Sequence, residues 1–476
     1  MRFRHFLLGS VAAICIVAAV GQPASALSLK DAVSVTLDSN PELGQAIENR
    51  EGVEFELRQA RGLYLPRVDL EGSTGVRRLD SPGRRLANTD DDNLYPSEVS
   101  ATVTQKLFDG FGREAEIERQ ASRVDGASFR VLERSEFLAL QVAREYFEVM
   151  LQREIVAAAR QNVAFHSRLQ SDIQAGTAGG TLTDADQLQA RERVLSARAR
   201  LTEATEELAA AEIRFNRLVG KPIGSVSKPP AMGRQLPKSL DEAIGIARAN
   251  NPLIKVANAD IDAAYALVKA ARSRYMPEAN IVGTARTGSD IDGVRNRTSD
   301  LQARVVVKWN IFNGGIDRAN EQEQIRHVSE ERMKLHQTYR EVEEAVRISW
   351  DRRLRQSSLL QVLNTQYDSS RRIVGSYREQ FGVGRRSLLD VLDAQNSQFN
   401  VNVLVLTSRY AVAFAEYRLL AATGQLLTSL GLSAPQQADA YARTVADVPA
   451  TPAAETMPRH SPPRPGNSDG FFGKLY

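Results

Sequence analysis

Side chains able to do chemistry are few, and their spacing restricts what they can do. Asp390 and Asp393 stand three residues apart, which on a helix puts both carboxylates on one face. Arg386 precedes Asp390 by four residues. Thr183 with Asp186, and Ser387 with Asp390, have the spacing of a capping box, so the acid of each pair has a structural use besides any electrostatic one. The five histidines, His5, His166, His327, His336 and His460, include no pair at metal-ligand spacing, and there is no phosphate-binding loop or nucleophile motif. No enzyme, cofactor or metal site is expected. Two carboxylates on one face suit cation attraction, and the alternative is that Asp390 only caps its helix while Asp393 faces solvent.

The elements that must position these groups follow from the rest of the chain. Arg2 and Arg4 precede an apolar run from Phe6 to Val20, and Ala24, Ser25 and Ala26 follow it, so residues 1–26 read as a secretory signal peptide. A membrane anchor is the alternative, but the run is only about fifteen residues long. The only cysteine, Cys15, lies within it, which leaves no disulfide, thiol nucleophile or zinc thiolate in the mature chain. Net charge is +3, or +1 without Arg2 and Arg4, and it is spread out, so no nucleic-acid surface is implied. No later stretch reaches the roughly 18 apolar residues of a spanning helix. A membrane span here would have to be made of strands.

The sequence matches itself. Leu29, Asn40, Pro41, Tyr64, Pro66 and Gly72 recur as Leu240, Asn251, Pro252, Tyr275, Pro277 and Gly283, a spacing of 211; Phe108, Gly110, Gly180, Asp186 and Gly220 recur as Phe312, Gly314, Gly384, Asp390 and Gly424, a spacing of 204. Two structural repeats, 27–220 and 238–430, are joined by a linker at 221–237, and a Pro/Ala/Ser-rich tail at 431–476 is expected to be disordered.

Each repeat reads as a helix, a strand pair, a very long helix and a returning helix. Pro41 opens the first helix. Alternation then sets Val68, Leu70, Thr74 and Val76 against Arg67, Asp69 and Glu71, and sets Val99, Ala101, Val103 and Leu107 on one face of a second strand. The loop between them, about Leu79 to Tyr95, is too polar to be buried. In the second repeat Ala279, Ile281 and Ala285, then Val305, Val307, Trp309 and Ile311, mark the strands, and Gly288 to Arg297 the loop. Tyr64, Tyr275 and Trp309 suit either interfacial girdles or a core. Past Phe108-Asp109-Gly110 and Phe312-Asn313-Gly314 a run nearly free of breakers is expected to form a helix of about 100 Å. Helices from Thr183 to about Leu218 and from Ser387 to about Ala422 return along it. Four strands cannot close a membrane barrel alone, because such barrels need at least about eight, so either several copies share one or the segments are surface hairpins on a periplasmic helical protein.

The repeat, the two strand exits and above all Gly384-Arg-Arg-Ser-Leu-Leu-Asp-Val-Leu-Asp-Ala394 resemble the TolC family of outer-membrane factors. The resemblance spans about Leu27 to Leu430. It implies a membrane α+β fold, a homotrimeric 12-stranded outer-membrane β-barrel continued by a 12-helix periplasmic α-barrel. It also implies docking to a periplasmic adaptor and an inner-membrane pump or ABC transporter, for efflux or type I secretion from a Gram-negative cell. The hairpin turns, with Gly180, Thr183, Gly384 and Ser387, would meet the adaptor. Asp390 and Asp393 would constrict the tip, latched by Arg386 and Asp186. Two departures stand out: the first turn, Gly176 to Thr183, is unusually glycine-rich, and Phe381 replaces a tyrosine of the family's best-known member. The competing reading is a periplasmic adaptor-like coiled-coil protein, but an adaptor has one hairpin, and here helices and strand pairs occur twice.

Overall fold

The computed structural model describes residues 27–454; the signal-peptide reading and the end of the tail fall outside the described residues. The first half contains α1 (Leu29–Ser39), α2 (Pro41–Gly62), β1 (Arg67–Thr74), β2 (Ser97–Phe108), α3 (Gly112–Ala178) and α4 (Asp184–Val219). The second half repeats that order with α5 (Leu240–Asn250), α6 (Pro252–Ser273), β3 (Glu278–Ser289), β4 (Arg297–Lys308), α7 (Ile316–Gly382) and α8 (Leu388–Ala422). Both long helices have 67 residues, about 100 Å at the usual rise. Among the described residues no helix is long and apolar enough to cross a membrane.

The helices stack in two layers along the rods. α4 packs on the distal half of α3 and α2 on its proximal half, and α8 and α6 divide α7 in the same way. The recurring Asn-Pro explains the joint. Asn40 caps α2 by accepting a bond from the Glu42 amide at 2.9 Å, while its side-chain amide donates to the Leu218 carbonyl at the end of α4, also 2.9 Å. Asn251 repeats both contacts, from Leu253 at 3.0 Å and to Ala422 at 3.1 Å. One asparagine thus satisfies orphan groups of two helix ends and aligns them.

The largest core sits at this mid-rod level, where Leu29, Val33, Tyr146, Phe147, Phe215, Ile254, Tyr417, Leu420 and Leu427 meet. Linker 221–237 is held against it: the Tyr146 hydroxyl donates toward the Leu27 and Ser227 carbonyls at 2.7 Å each, and Tyr417 donates to Pro230 at 2.8 Å.

The four strands form one antiparallel sheet, ordered β1-β2-β3-β4. The ladder puts Leu70, Ala101, Ala285 and Leu301 on one rung, and Val68 and Val103 on the next rung of that face. The other face carries Asp69, Thr102, Thr284 and Gln302. The alternation expected from the sequence holds with three adjustments: Trp309 and Ile311 lie past the end of β4 at Lys308, and two more fall in the first half. Val76 lies past the end of β1, and Leu107 falls at a register shift between Lys106 and Phe108. Tyr64, Tyr275 and Trp309 are exposed at the sheet-rod junction, not packed in a core, with the indole donating to the Tyr275 carbonyl at 3.0 Å. The loop after β1 is less open than its polarity suggested. Arg84 is buried and donates to the carbonyls of Asp92 and Gly293, and Leu94 is fully covered.

The expected disorder of 431–476 is corrected for its first part. Residues 431–454 fold back along the rods, because two buried carboxylates need a cation. Arg443 bridges Asp125 of α3 at 2.9 Å and Asp262 of α6 at 2.7 Å, the Ala442 amide donates to Asp125 at 2.8 Å, and the Thr451 amide donates to Asp262 at 2.8 Å. Composition misled here, since the contacts are made by a few residues and by backbone.

Candidate functional site

The sequence-selected residues gather at the two hairpin turns. In the first, Thr183 and Asp186 form a reciprocal capping box: the Asp186 amide donates to the Thr183 hydroxyl at 3.2 Å, and the Thr183 amide to the carboxylate at 3.0 Å. The Thr183 hydroxyl also donates to Asp186, and these bonds hold its carboxyl below the usual range. In the second, the Asp390 amide donates to the Ser387 hydroxyl at 3.2 Å, and that hydroxyl donates to the carboxylate at 2.7 Å. Both acids are therefore caps, whatever else they do.

Gly180 and Gly384 take the left-handed conformation at φ +74° and +73° and face open space. A side chain there would meet backbone strain of roughly 1–2 kcal/mol but no neighbour. The helices run to Ala178 and Gly382, so the turns are shorter than the glycine runs implied. Gly176 is inside the last turn of α3, under Leu182.

Arg386 stays within its own turn. Its guanidinium lies 4.1 Å from the centre of the Tyr377 ring, donates to Gln380 at 3.2 Å and is 3.8 Å from Asp390. Within the chain it is not brought to Asp186. Phe381 is half-buried against the cluster of Leu169, Ile173, Ala190, Leu388, Val391 and Leu392, which joins both repeats.

The polar contacts that cross between repeats near the turns were not picked out from the sequence. Arg193 of α4 donates to Asp393 of α8 at 3.0 Å, and deeper in, Gln395 donates to Asn162 at 3.1 Å in a buried pair. Buried His166 lies near Arg193, and burial together with that positive charge lowers its pKa to about 4, so the imidazole is neutral. Comparing the repeats could not reveal these residues, because a contact between two copies has no counterpart inside either one. Among the described residues no group of acids, histidines or cysteines could hold a metal.

An amphipathic sheet standing on two helical hairpins, each built on a 67-residue helix, defines the class of architecture. The family model described as outer membrane efflux protein matches residues 32–221 and again 243–425, and the chain belongs to that family. The family is one of channels, not enzymes, and its double match to this chain sets aside the adaptor reading. Similar proteins include the outer membrane efflux protein BepC of Brucella suis, 24% identical over 87% of this chain and 90% of its own, and the alkaline protease secretion protein AprF of Pseudomonas aeruginosa, 24% identical over 84% of each. Among solved structures, CusC superposes with a TM-score of 0.71 at 18% identity, covering 85% of this chain and 92% of its own, and the outer-membrane channel OprN with 0.72 at 16%, covering 83% and 90%. The protein is an outer-membrane channel of the efflux and secretion type, extending into the periplasm.

Proposed function

We propose that three copies of this chain close one 12-stranded barrel, continued by 12 periplasmic helices, and that this duct takes cargo from an adaptor and an inner-membrane pump or ABC transporter. The observation that carries the reading is the sheet. One face is apolar and bare, with Leu70, Leu301 and Val305 each more than two-thirds exposed, and its outer strands β1 and β4 each have one edge without a partner in the sheet order. In lipid an open edge is prohibitive, and pairing β4 with the next copy's β1 removes it. The rods agree: α7 leaves Ile348, Leu354, Leu359, Val362 and Ile373 exposed, apolar area suited to another copy.

Within that assembly the turns at Gly180 to Thr183 and Gly384 to Ser387 are the adaptor-facing tip. Six carboxylates from Asp390 and Asp393 line the axis, Asp186 and Phe381 complete the constriction, and Arg386 restrains it. The intrachain Arg193–Asp393 pair adds a tie between repeats that must loosen if α8 moves alone. AprF is named for protease secretion and CusC for cation efflux, so relatives of this chain carry unlike cargo and the inner-membrane partner selects it here.

The test is current through purified trimers in planar bilayers. Asp390→Ala with Asp393→Ala should weaken cation preference and block by multivalent cations, and Arg386→Ser should raise open current. If selectivity, block and current all stay unchanged, the tip residues are caps only.

A further inference from the structure

Charge on the polar face of the sheet is sorted by height. Nearest the rods stand Arg67, Lys106, Arg304 and Lys308 against Asp69 and Glu278. Nearest the loops stand Glu71, Glu98 and Asp300 around Arg286, joined by Asp292 of the loop. On the other face of these strands the sole charge is Arg297, at the loop end.

The two ends differ in how completely they are neutralised. At the loop end Arg286 is enclosed by Asp292 at 2.5 Å, Asp300 at 3.2 Å and Glu98 at 3.7 Å, so acid is in excess. At the rod end Arg67 is matched by Asp69 at 2.9 Å and Lys106 by Glu278 at 3.3 Å. Glu278 is also the ladder partner of Lys308 and must serve two lysines. Arg304 has no ion-pair partner among the described residues, nor has Arg274, just below the strands. Lys106, Arg274 and Lys308 border one cleft of about 560 Å³ at the junction. Of the acids bordering it, Asp109 is held by Arg113 at 3.2 Å, and Asp317 accepts a bond from Asn313 at 2.6 Å.

We infer that the barrel base is an anion-binding belt, formed by Arg274, Arg304 and Lys308, that concentrates solutes bearing carboxylate or phosphate groups on their way to the acidic rim. The inference rests on the channel reading, in which the polar face lines the lumen. There the belt is repeated around one axis and walled by low-dielectric strands, and such walls focus the field of like charges and raise the local concentration of counter-ions. The acidic rim beyond it repels the same anions whichever way they cross, so they collect at the belt and not at the rim. Cation preference at the tip and anion preference at the base are then separate properties of separate residues.

The probe is citrate, a polyvalent anion, added on both sides of planar bilayers holding purified oligomers. Wild-type current should fall with citrate, less so at high KCl because the belt is solvent-exposed. Arg304→Gln with Lys308→Gln should weaken that block by at least about tenfold, and Arg304→Lys with Lys308→Arg should retain it. Because β4 is an outer strand, Arg274→Gln serves as a second variant outside the sheet, and it should weaken the block without changing oligomer yield. Asp390→Asn at the tip should leave citrate block intact. If the wild type forms no conducting oligomer, the channel reading falls and the belt falls with it. A conducting wild type that citrate does not block, or whose block survives both the double glutamine variant and Arg274→Gln, overturns the belt alone.

Discussion

Gly110 and Gly314 occupy matched positions where a strand gives way to a rod, and both are left-handed, at φ +66° and +73°. Their surroundings differ. A β-carbon on Gly110 would lie 2.5 Å from the Ser273 carbonyl oxygen, whereas one on Gly314 would meet nothing within 4 Å. Each alanine substitution should cost about 1–2 kcal/mol for the backbone conformation, and Gly110→Ala should cost more because backbone of α6 must shift. Thermal unfolding of the two variants should rank Gly314→Ala as the milder, and equal losses would mean that the α6 contact is slack. Arg443 supports a second residue-scale expectation. Removing it leaves Asp125 and Asp262 buried with only backbone donors, and breaking such a buried pair typically costs about 3–5 kcal/mol. Arg443→Met should therefore lower the melting temperature clearly, and Asp125→Asn with Asp262→Asn in the same chain should restore part of the loss.

At the scale of elements, most of the architecture was legible because helix and strand periods, Pro at helix starts and Gly at turns are local signals. Pro41, Pro66 and the capping pairs placed the boundaries of α2, α4 and α8 within a residue or two. The packed residues 431–454 were not legible, since their anchors Asp125 and Asp262 lie far away in sequence and look like ordinary helix-surface acids. The Arg193–Asp393 pair was hidden for the same reason. Two buried groups make element stability depend on pH with opposite signs. Glu136 of α3 accepts bonds from the Leu426 and Leu427 amides at 3.1 and 3.3 Å, yet burial raises its carboxyl to about 7. An acid with a raised folded pKa gives stability that is full below its unfolded value and is lost as pH rises through about 7. His166, lowered to about 4, gives stability present above its unfolded value of 6.5 and lost as pH falls toward 4. The two windows overlap, so the opposing trends largely cancel and melting temperature should vary little between about 4.5 and 6.5. Glu136→Gln should leave a melting temperature that rises with pH over this range, and His166→Gln one that falls. A profile unchanged in either variant would remove that group from the explanation.

At the scale of the whole molecule, a single chain has an apolar sheet face and two unpaired strand edges, which the proposed trimer would complete. Described residues contain no cysteine, so introduced thiols report on this directly. Leu70 of β1 and the alternate β4 residues Ser299, Leu301, Ala303 and Val305 share the apolar face. Leu70→Cys should be combined in turn with a cysteine at each of those β4 positions and oxidised in isolated outer membranes. Closure between copies gives one register that yields disulfide-linked dimers and trimers on a denaturing gel after boiling, with neighbouring registers weak. Monomer at every register, from protein that is present and folded in the outer membrane, would contradict a barrel shared between chains.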